Sequence, residues 1–261
     1  MISVLKIIWG SCMIQMKQSF ARATFKFCVL VQPIIYAVIT YMMFRNSGIE
    51  NFTSYVVLGT GIMSLWSSIC FSSAGDIERE RYMGTLQIVT SVPVQFKIIM
   101  LGKVLGNTIL GLMSMVITFV FVSVVFGEVL TIANPLVFMA SLIISLFSFM
   151  AISMLLAPSF TLSRNSRALM NCLEYPIFIL CGVLFPIEVL PVWIRPLSYI
   201  LSPTWAIKLL RDSSLGIHDF SNFATNIAII ILITVIYSIV ASKLFDRIDK
   251  ETRIKATLEV Q

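Results

Sequence analysis

The sequence predicts an all-α integral membrane protein with six transmembrane helices, and three observations carry that prediction. Only 12% of the 261 residues are charged and 58% are hydrophobic, against about 25% charged in a soluble domain. Apolar stretches of spanning length recur along the chain, each near the roughly 20 residues that cross a bilayer as helix. The basic residues, finally, collect on one side of the turns between those stretches. The same composition excludes a disordered chain, and 12 Gly and 9 Pro without a fixed period exclude collagen-like or low-complexity classes.

In chain order, the sequence divides into an interfacial amphipathic helix over residues 1–24, a six-span domain over 25–245 and a cytoplasmic tail over 246–261. In the first segment Leu5, Ile8, Trp9, Cys12, Met13, Met16 and Phe20 recur at helical spacing, while Lys6, Gln15, Lys17 and Gln18 lie mostly on other faces. That pattern suits a helix lying on the membrane, although the first turns of the first span fit the same residues. Lys6 and Lys17 break the apolar run that a cleaved signal peptide needs.

The first span is expected over 27–44 with Pro33 inside it, and the second over 53–74. Residues 45–52 form a short polar turn between them. A third span over 98–126 and a fourth over 134–160, with Pro158 near its end, are joined by a turn at 127–133. The fourth leads into the basic loop Ser163-Arg164-Asn165-Ser166-Arg167. The fifth stretch, 168–185, carries one acidic residue, Glu174. Residues 186–196 are too rich in proline and charge to continue a spanning helix, yet too apolar for a solvated loop. They read as short outward re-entrant helices folding back into the outer leaflet, where protein or water must cover the backbone. An amphipathic piece over 203–211 precedes the sixth span, 223–245.

Basic residues near span ends set the orientation. One side holds Lys6, Lys17, Arg22, Lys26, Arg79, Arg81, Lys97, Lys103, Arg164, Arg167, Lys243, Arg247, Lys250, Arg253 and Lys255; the other holds only Arg45, Arg195, Lys208 and Arg211. Both termini are therefore expected in the cytoplasm and the proline-rich segment outside, and the net charge of +6 becomes an orientation signal. No basic stripe on a soluble domain is left to bind nucleic acid.

Several functional classes lack the residues they need. Ion-coupled transport places ionisable groups at mid-membrane, where the spans offer only Glu174. Voltage sensing needs repeated arginines within a span, a potassium filter needs a Thr-Val-Gly-Tyr-Gly-like loop, and an intramembrane hydrolase needs a catalytic constellation. None of these is present. His218 is the single histidine, and Cys12, Cys28, Cys70, Cys172 and Cys181 sit in apolar segments without CxxC spacing, so they read as packing thiols and no metal site is expected. The nearest approach to a phosphate loop, Leu101-Gly102-Lys103-Val104, lacks the upstream glycine and the hydroxyl. A membrane machine of this composition needs its energy from another chain.

One cluster suits the attachment of such a chain. Asp76, Glu78, Arg79, Glu80 and Arg81 place five charges within six residues after the second span. Glu78 and Arg81 have the spacing of a helical ion pair, Gly84 suits a helix break, Leu86 and Val89 form an apolar ridge, and Pro93 suits the start of the next helix. Two readings stay open on these residues alone: a docking element, or a solvated loop whose charges fix topology.

The run Glu78-Arg79-Glu80-Arg81-Tyr82-Met83-Gly84-Thr85-Leu86-Gln87-Ile88-Val89-Thr90-Ser91-Val92-Pro93 resembles the Glu-Arg-Glu-x-Gly-Thr-Leu-Glu-x-Leu-x-x-x-Pro signature of type-2 ABC transporter permeases. It departs from it at Tyr82-Met83, where many members have one residue, and at Gln87, where Glu is usual. Gly182-Val183-Leu184-Phe185-Pro186-Ile187-Glu188-Val189-Leu190-Pro191-Val192-Trp193, with Leu201-Ser202-Pro203 and Arg211, is similar to that family's segment after the fifth span. The resemblance implies that residues 84–92 form a cytoplasmic coupling helix between spans two and three, entering a cleft on a separate cytoplasmic ABC ATPase subunit. Glu78, Arg79, Glu80, Arg81, Gly84, Thr85, Leu86, Val89 and Pro93 would make up that site, and Phe185, Pro186, Pro191 and Trp193 an outward gate. It further implies a second permease copy or a related permease alongside, no catalytic site or cofactor in this chain, and ATP with Mg on the partner.

Glu174 has two readings: a group lining the pathway, or a carboxylate paired with Arg164 or Arg167 across about 9 Å of helical rise. The 14 Met and 19 Phe suit a hydrophobic drug, antimicrobial peptide or lipid-like substrate, and equally suit ordinary helix packing. A lipid-linked polysaccharide is the alternative cargo. A self-sufficient channel or membrane scaffold protein is the reading from a different class.

Overall fold

Pro33 shapes the first span. A proline has no N–H to offer the Val29 carbonyl, and its ring crowds that oxygen. The helix answers by widening into a π-turn over Phe27–Val31, where the Gln32 N–H donates to the Phe27 carbonyl. Before it lie α1 (Ile2–Ala21) and the short α2 (Ala23–Lys26), and after it α3 (Gln32–Phe44) completes the span. The computed structural model describes residues 2–45, 52–84, 94–127, 132–162, 176–183, 187–217 and 219–255. Its other α-helices are α4 (Phe52–Tyr82), α5 (Phe96–Phe126), α6 (Pro135–Leu162), α7 (Arg195–Ile200), α8 (Ser202–Leu215) and α9 (Phe220–Lys255). Residues 176–180 are also helical, and Ile187–Val189 form one 3₁₀ turn.

The all-α membrane class holds. Among the described residues, three helices are long and apolar enough to cross a bilayer, over Phe96–Phe126, Pro135–Ser159 and Phe220–Ile248, and two shorter apolar helices cover Phe27–Met43 and Val56–Ile69. These match the expected spans three, four and six, then one and two. The expected fifth span lies mostly outside the described residues. Two helices outrun their expected ends: α4 continues past Ala74 to Tyr82, and α9 past Phe245 to Lys255. Charged residues end a hydrophobic span without ending a helix, because the backbone bonds inside a helix are indifferent to the solvent around its side chains.

Helix α4 is the core of the bundle. Every residue from Val56 to Ile69 is buried, enclosed by α3, α5, α6 and α8. Trp66 lies at its centre with its ring edge-on to Phe149 of α6. Two buried hydroxyls of this helix bond back to its own backbone, Thr60 Oγ1 donating to the Val56 carbonyl and Ser64 Oγ to the Thr60 carbonyl at 2.8 Å. Such self-satisfied serines let polar residues sit in an apolar interior.

Helix α1 turns Gln15 and Ser19 inward and leaves both charged and large apolar residues outside. It packs along α5 through Cys12, Gln15 and Ser19, all buried, where Gln15 Nε2 donates to Asn107 Oδ1 at 3.1 Å and to Ser19 Oγ at 3.1 Å. The approach is close because Gly102 and Gly106 face it: a Cβ on Gly102 would stand 2.6 Å from the Ile8 carbonyl oxygen, and one on Gly106 2.9 Å from that of Cys12. Leu5, Trp9 and Ile14 are exposed on the other side. Burial raises the Cys12 thiol above its ordinary range.

The element inserted beside the spans is α8. Ser202, Thr204, Ala206, Ile207, Leu209, Leu210, Ser213 and Ser214 are buried as it packs against α4, α6 and α9. Its 14 residues rise about 21 Å, short of a full crossing. In the described part of the proline-rich stretch, Ile187 and Leu190 are buried while Val189, Val192 and Trp193 are largely uncovered.

Candidate coupling site at the foot of the second span

The charged cluster belongs to α4 itself. The helix runs without a break from the buried core through Asp76, Glu78, Arg79, Glu80 and Arg81, and ends at Met83 and Gly84. Gly84 adopts φ +67°, the left-handed conformation that closes many helices and that residues with a Cβ reach only with strain. Tyr82 and Met83 are exposed at that end.

Glu80 turns inward and pairs with Lys103 of α5, Nζ bonding to Oε1. The two side chains are only 14% and 9% exposed, so the pair belongs to the buried class, in which losing one partner strands a charge. On the other side of residues 85–93, Phe96 and Lys97 open α5 and are tied to α9. Lys97 Nζ lies 3.0 Å from Asp246 Oδ1 and 3.4 Å from Ser242 Oγ, and Phe96 stands edge-on to Phe245 at 5.8 Å between ring centroids. Met100 and Ala157 complete that apolar contact, which brings in α6. A push applied between Gly84 and Phe96 therefore meets α4 and α5 at one end, and α5, α6 and α9 at the other.

A family model described as ABC-2 family transporter protein matches residues 40–243. The chain belongs to that family. Among curated proteins, none matches it. The ABC-2 match spans α4, the charged cluster, α8 and most of α9, and it establishes a membrane component of an ABC transporter, a class of proteins generally without catalysis of their own. Membership implies association with an ABC ATPase and a membrane.

The sequence-predicted ABC-2 site residues are placed unevenly. The backbones of Glu78, Arg79 and Arg81 lie on α4, with their side chains outside the described residues; Thr85, Leu86, Val89, Pro93, Glu174, Phe185 and Pro186 lie outside them altogether. Glu80 is inside the protein, and Gly84 stands open at the end of α4. Pro191 and Trp193 are exposed in the proline-rich segment, whose turn is held by Arg195: Nε donates to the Leu190 carbonyl at 2.9 Å and Nη2 to that of Glu188 at 2.6 Å. No group of three or more His, Cys, Asp or Glu able to hold a metal occurs among the described residues.

Lys103 was legible only as a topology-setting cation. Its signal was there, since an ionisable residue within an apolar run calls for a named partner. The Gln15–Asn107 bond joins residues 92 apart in sequence and gave no comparable sign.

Proposed function

We propose that this chain is one permease half of an ATP-driven exporter in the plasma membrane, crossing it six times with both termini in the cytoplasm. A separate ATPase, carrying the ATP and Mg, engages residues 84–92; a second permease, identical or related, completes the path. ATP-driven closure of the ATPases rocks the spans between inward-facing and outward-facing states. The cargo is a hydrophobic drug, antimicrobial peptide or lipid-like molecule.

The observation that carries this reading is the continuity of α4. One helix runs from the charged cluster into the centre of the bundle, clamped at its foot by Glu80 and Lys103. Motion delivered at Gly84 would pass to a lever, since a hydrogen-bonded helix bends little over this length. The orientation rests on the one-sided distribution of basic residues, and Lys97, Lys103, Lys243 and Arg247 lie toward the same end of the bundle as the charged cluster.

Gly84→Glu and Leu86→Glu test the assignment in membranes that also hold an ABC ATPase shown to co-purify with the parental chain. Both variants are expected to lose co-purification of that ATPase and its stimulation. Association and stimulation at the parental level would refute the coupling role.

A further inference from the structure

The opposite end of α4 meets a second junction, and Arg211 is at its centre. The helical segment 176–180 stops where Gly182 turns into the left-handed region at φ +69°. A helix that stops leaves its last carbonyls without partners inside the helix. Here a single guanidinium from α8 takes two successive ones: Arg211 Nη1 donates to the Gly182 carbonyl at 3.0 Å and Nη2 to that of Val183 at 2.8 Å. The planar fork of arginine suits two acceptors at once, which the point charge of lysine does not.

The Val183 carbonyl is also pressed against α4. A Cβ on Gly59 would stand 3.0 Å from that oxygen, so the close approach depends on the absence of a side chain at Gly59. Three elements thus converge on one peptide: α4 through Gly59, the end of 176–183, and α8 through Arg211. Gly59 and Glu80 lie on the same helix, 21 residues apart, which is about 32 Å of rise. Beyond Val183 the chain continues to the outward segment with Pro191 and Trp193, and that segment returns through α7 to α8, where Thr204 Oγ1 donates to the Ser198 carbonyl at 2.6 Å.

We propose that Arg211 is the positioning residue that makes the outward segment follow α4, by holding the Gly182 and Val183 carbonyls against Gly59. This rests on the reading of α4 as the lever moved by the ATPase. A contact of this kind has a consequence that a purely structural cap lacks: removing it separates the response of the outer segment from that of the foot of α4.

Two reporter cysteines read the two ends, Met83→Cys at the foot and Trp193→Cys outside, each in a chain whose native cysteines are replaced. The complex purified with its ATPase is reconstituted in vesicles opened to both faces, and maleimide labelling is followed with and without ATP. With Arg211 present, ATP is expected to change labelling severalfold at both positions. In Arg211→Gln the change at Met83→Cys should persist and that at Trp193→Cys should vanish, with Arg211→Lys retaining only part of it. An unaltered response at Trp193→Cys in Arg211→Gln would overturn the proposal, as would a full response in Arg211→Lys or loss of both responses in the two variants alike. If Met83→Cys fails to respond even with Arg211 in place, the lever reading itself fails and this inference with it.

Discussion

Glu80 at the foot of α4 and Lys103 in α5 form an ion pair withdrawn from solvent on both sides. It joins the charged cluster to the third span, so part of what reads as a docking surface in the sequence is an internal fastening. Removing one partner strands the other charge, at a cost of roughly 3–5 kcal/mol. Lys103→Met is therefore expected to lower the thermal midpoint of the purified protein sharply. Adding Glu80→Gln to it should recover most of the loss. Equal midpoints for the single and double variants would show that no stranded charge on Glu80 weighs on Lys103→Met.

Gly102, in the α1–α5 contact, and Gly61, where α4 meets α5, are predicted to tolerate a side chain differently. A side chain on Gly102 collides with the backbone of Ile8 at 2.6 Å, and backbone cannot step aside. On Gly61 the collision is with Met115 Cγ at 2.9 Å, the side chain of a flexible residue that can change rotamer. Gly102→Val should detach α1 and raise its cleavage by added protease, while Gly61→Ala should cost about 1–3 kcal/mol and leave α1 in place. Matching behaviour of the two variants would contradict the geometry.

Cys12 offers a chemical readout of the same contact. Its thiol is buried with a raised pKa, so less thiolate is present near neutral pH than at a free cysteine. In a variant retaining Cys12 alone, maleimide labelling should be slow and should go on climbing as pH rises through the ordinary thiol range. Gly102→Val in that background should speed labelling and return its pH dependence toward that of a free thiol. Rapid labelling with Gly102 intact would place Cys12 outside the contact.

Gln15 and Asn107 share a buried hydrogen bond. Replacing Gln15 by Leu leaves the Asn107 amide without this partner, which costs about 1–3 kcal/mol. The change is expected as a lower midpoint in denaturant or heat, and Asn107→Leu added to it should bring little further loss. Additive losses would mean that the two residues act independently.

Arg195 holds the proline-rich turn through the carbonyls of Leu190 and Glu188. Arg195→Ala is expected to loosen that turn and quicken chymotrypsin cleavage near Trp193, with α8 and the spans intact. An unchanged cleavage rate would show that the prolines alone keep the turn.

Much of this architecture was legible in the sequence because proline, glycine and charge punctuate it. Gly84 marked the end of the helix that carries the charged cluster. The expected start of the third span and end of the fourth lie within two residues of the observed helix ends. The place of α8 was not legible: its serines and threonine look solvated in sequence, yet they are buried among other helices.

By itself, then, the sequence determined the all-α membrane class and the approximate positions of the long apolar helices over Phe96–Phe126, Pro135–Ser159 and Phe220–Ile248, since both depend on composition and local period. Only the tertiary structure decided that α4 stands at the centre, that α1 turns its polar stripe inward and that Glu80 meets Lys103. The physical reason is that lipid tails and protein interior are about equally apolar. Hydropathy records that a residue avoids water, and cannot record whether its neighbour is a lipid or another helix.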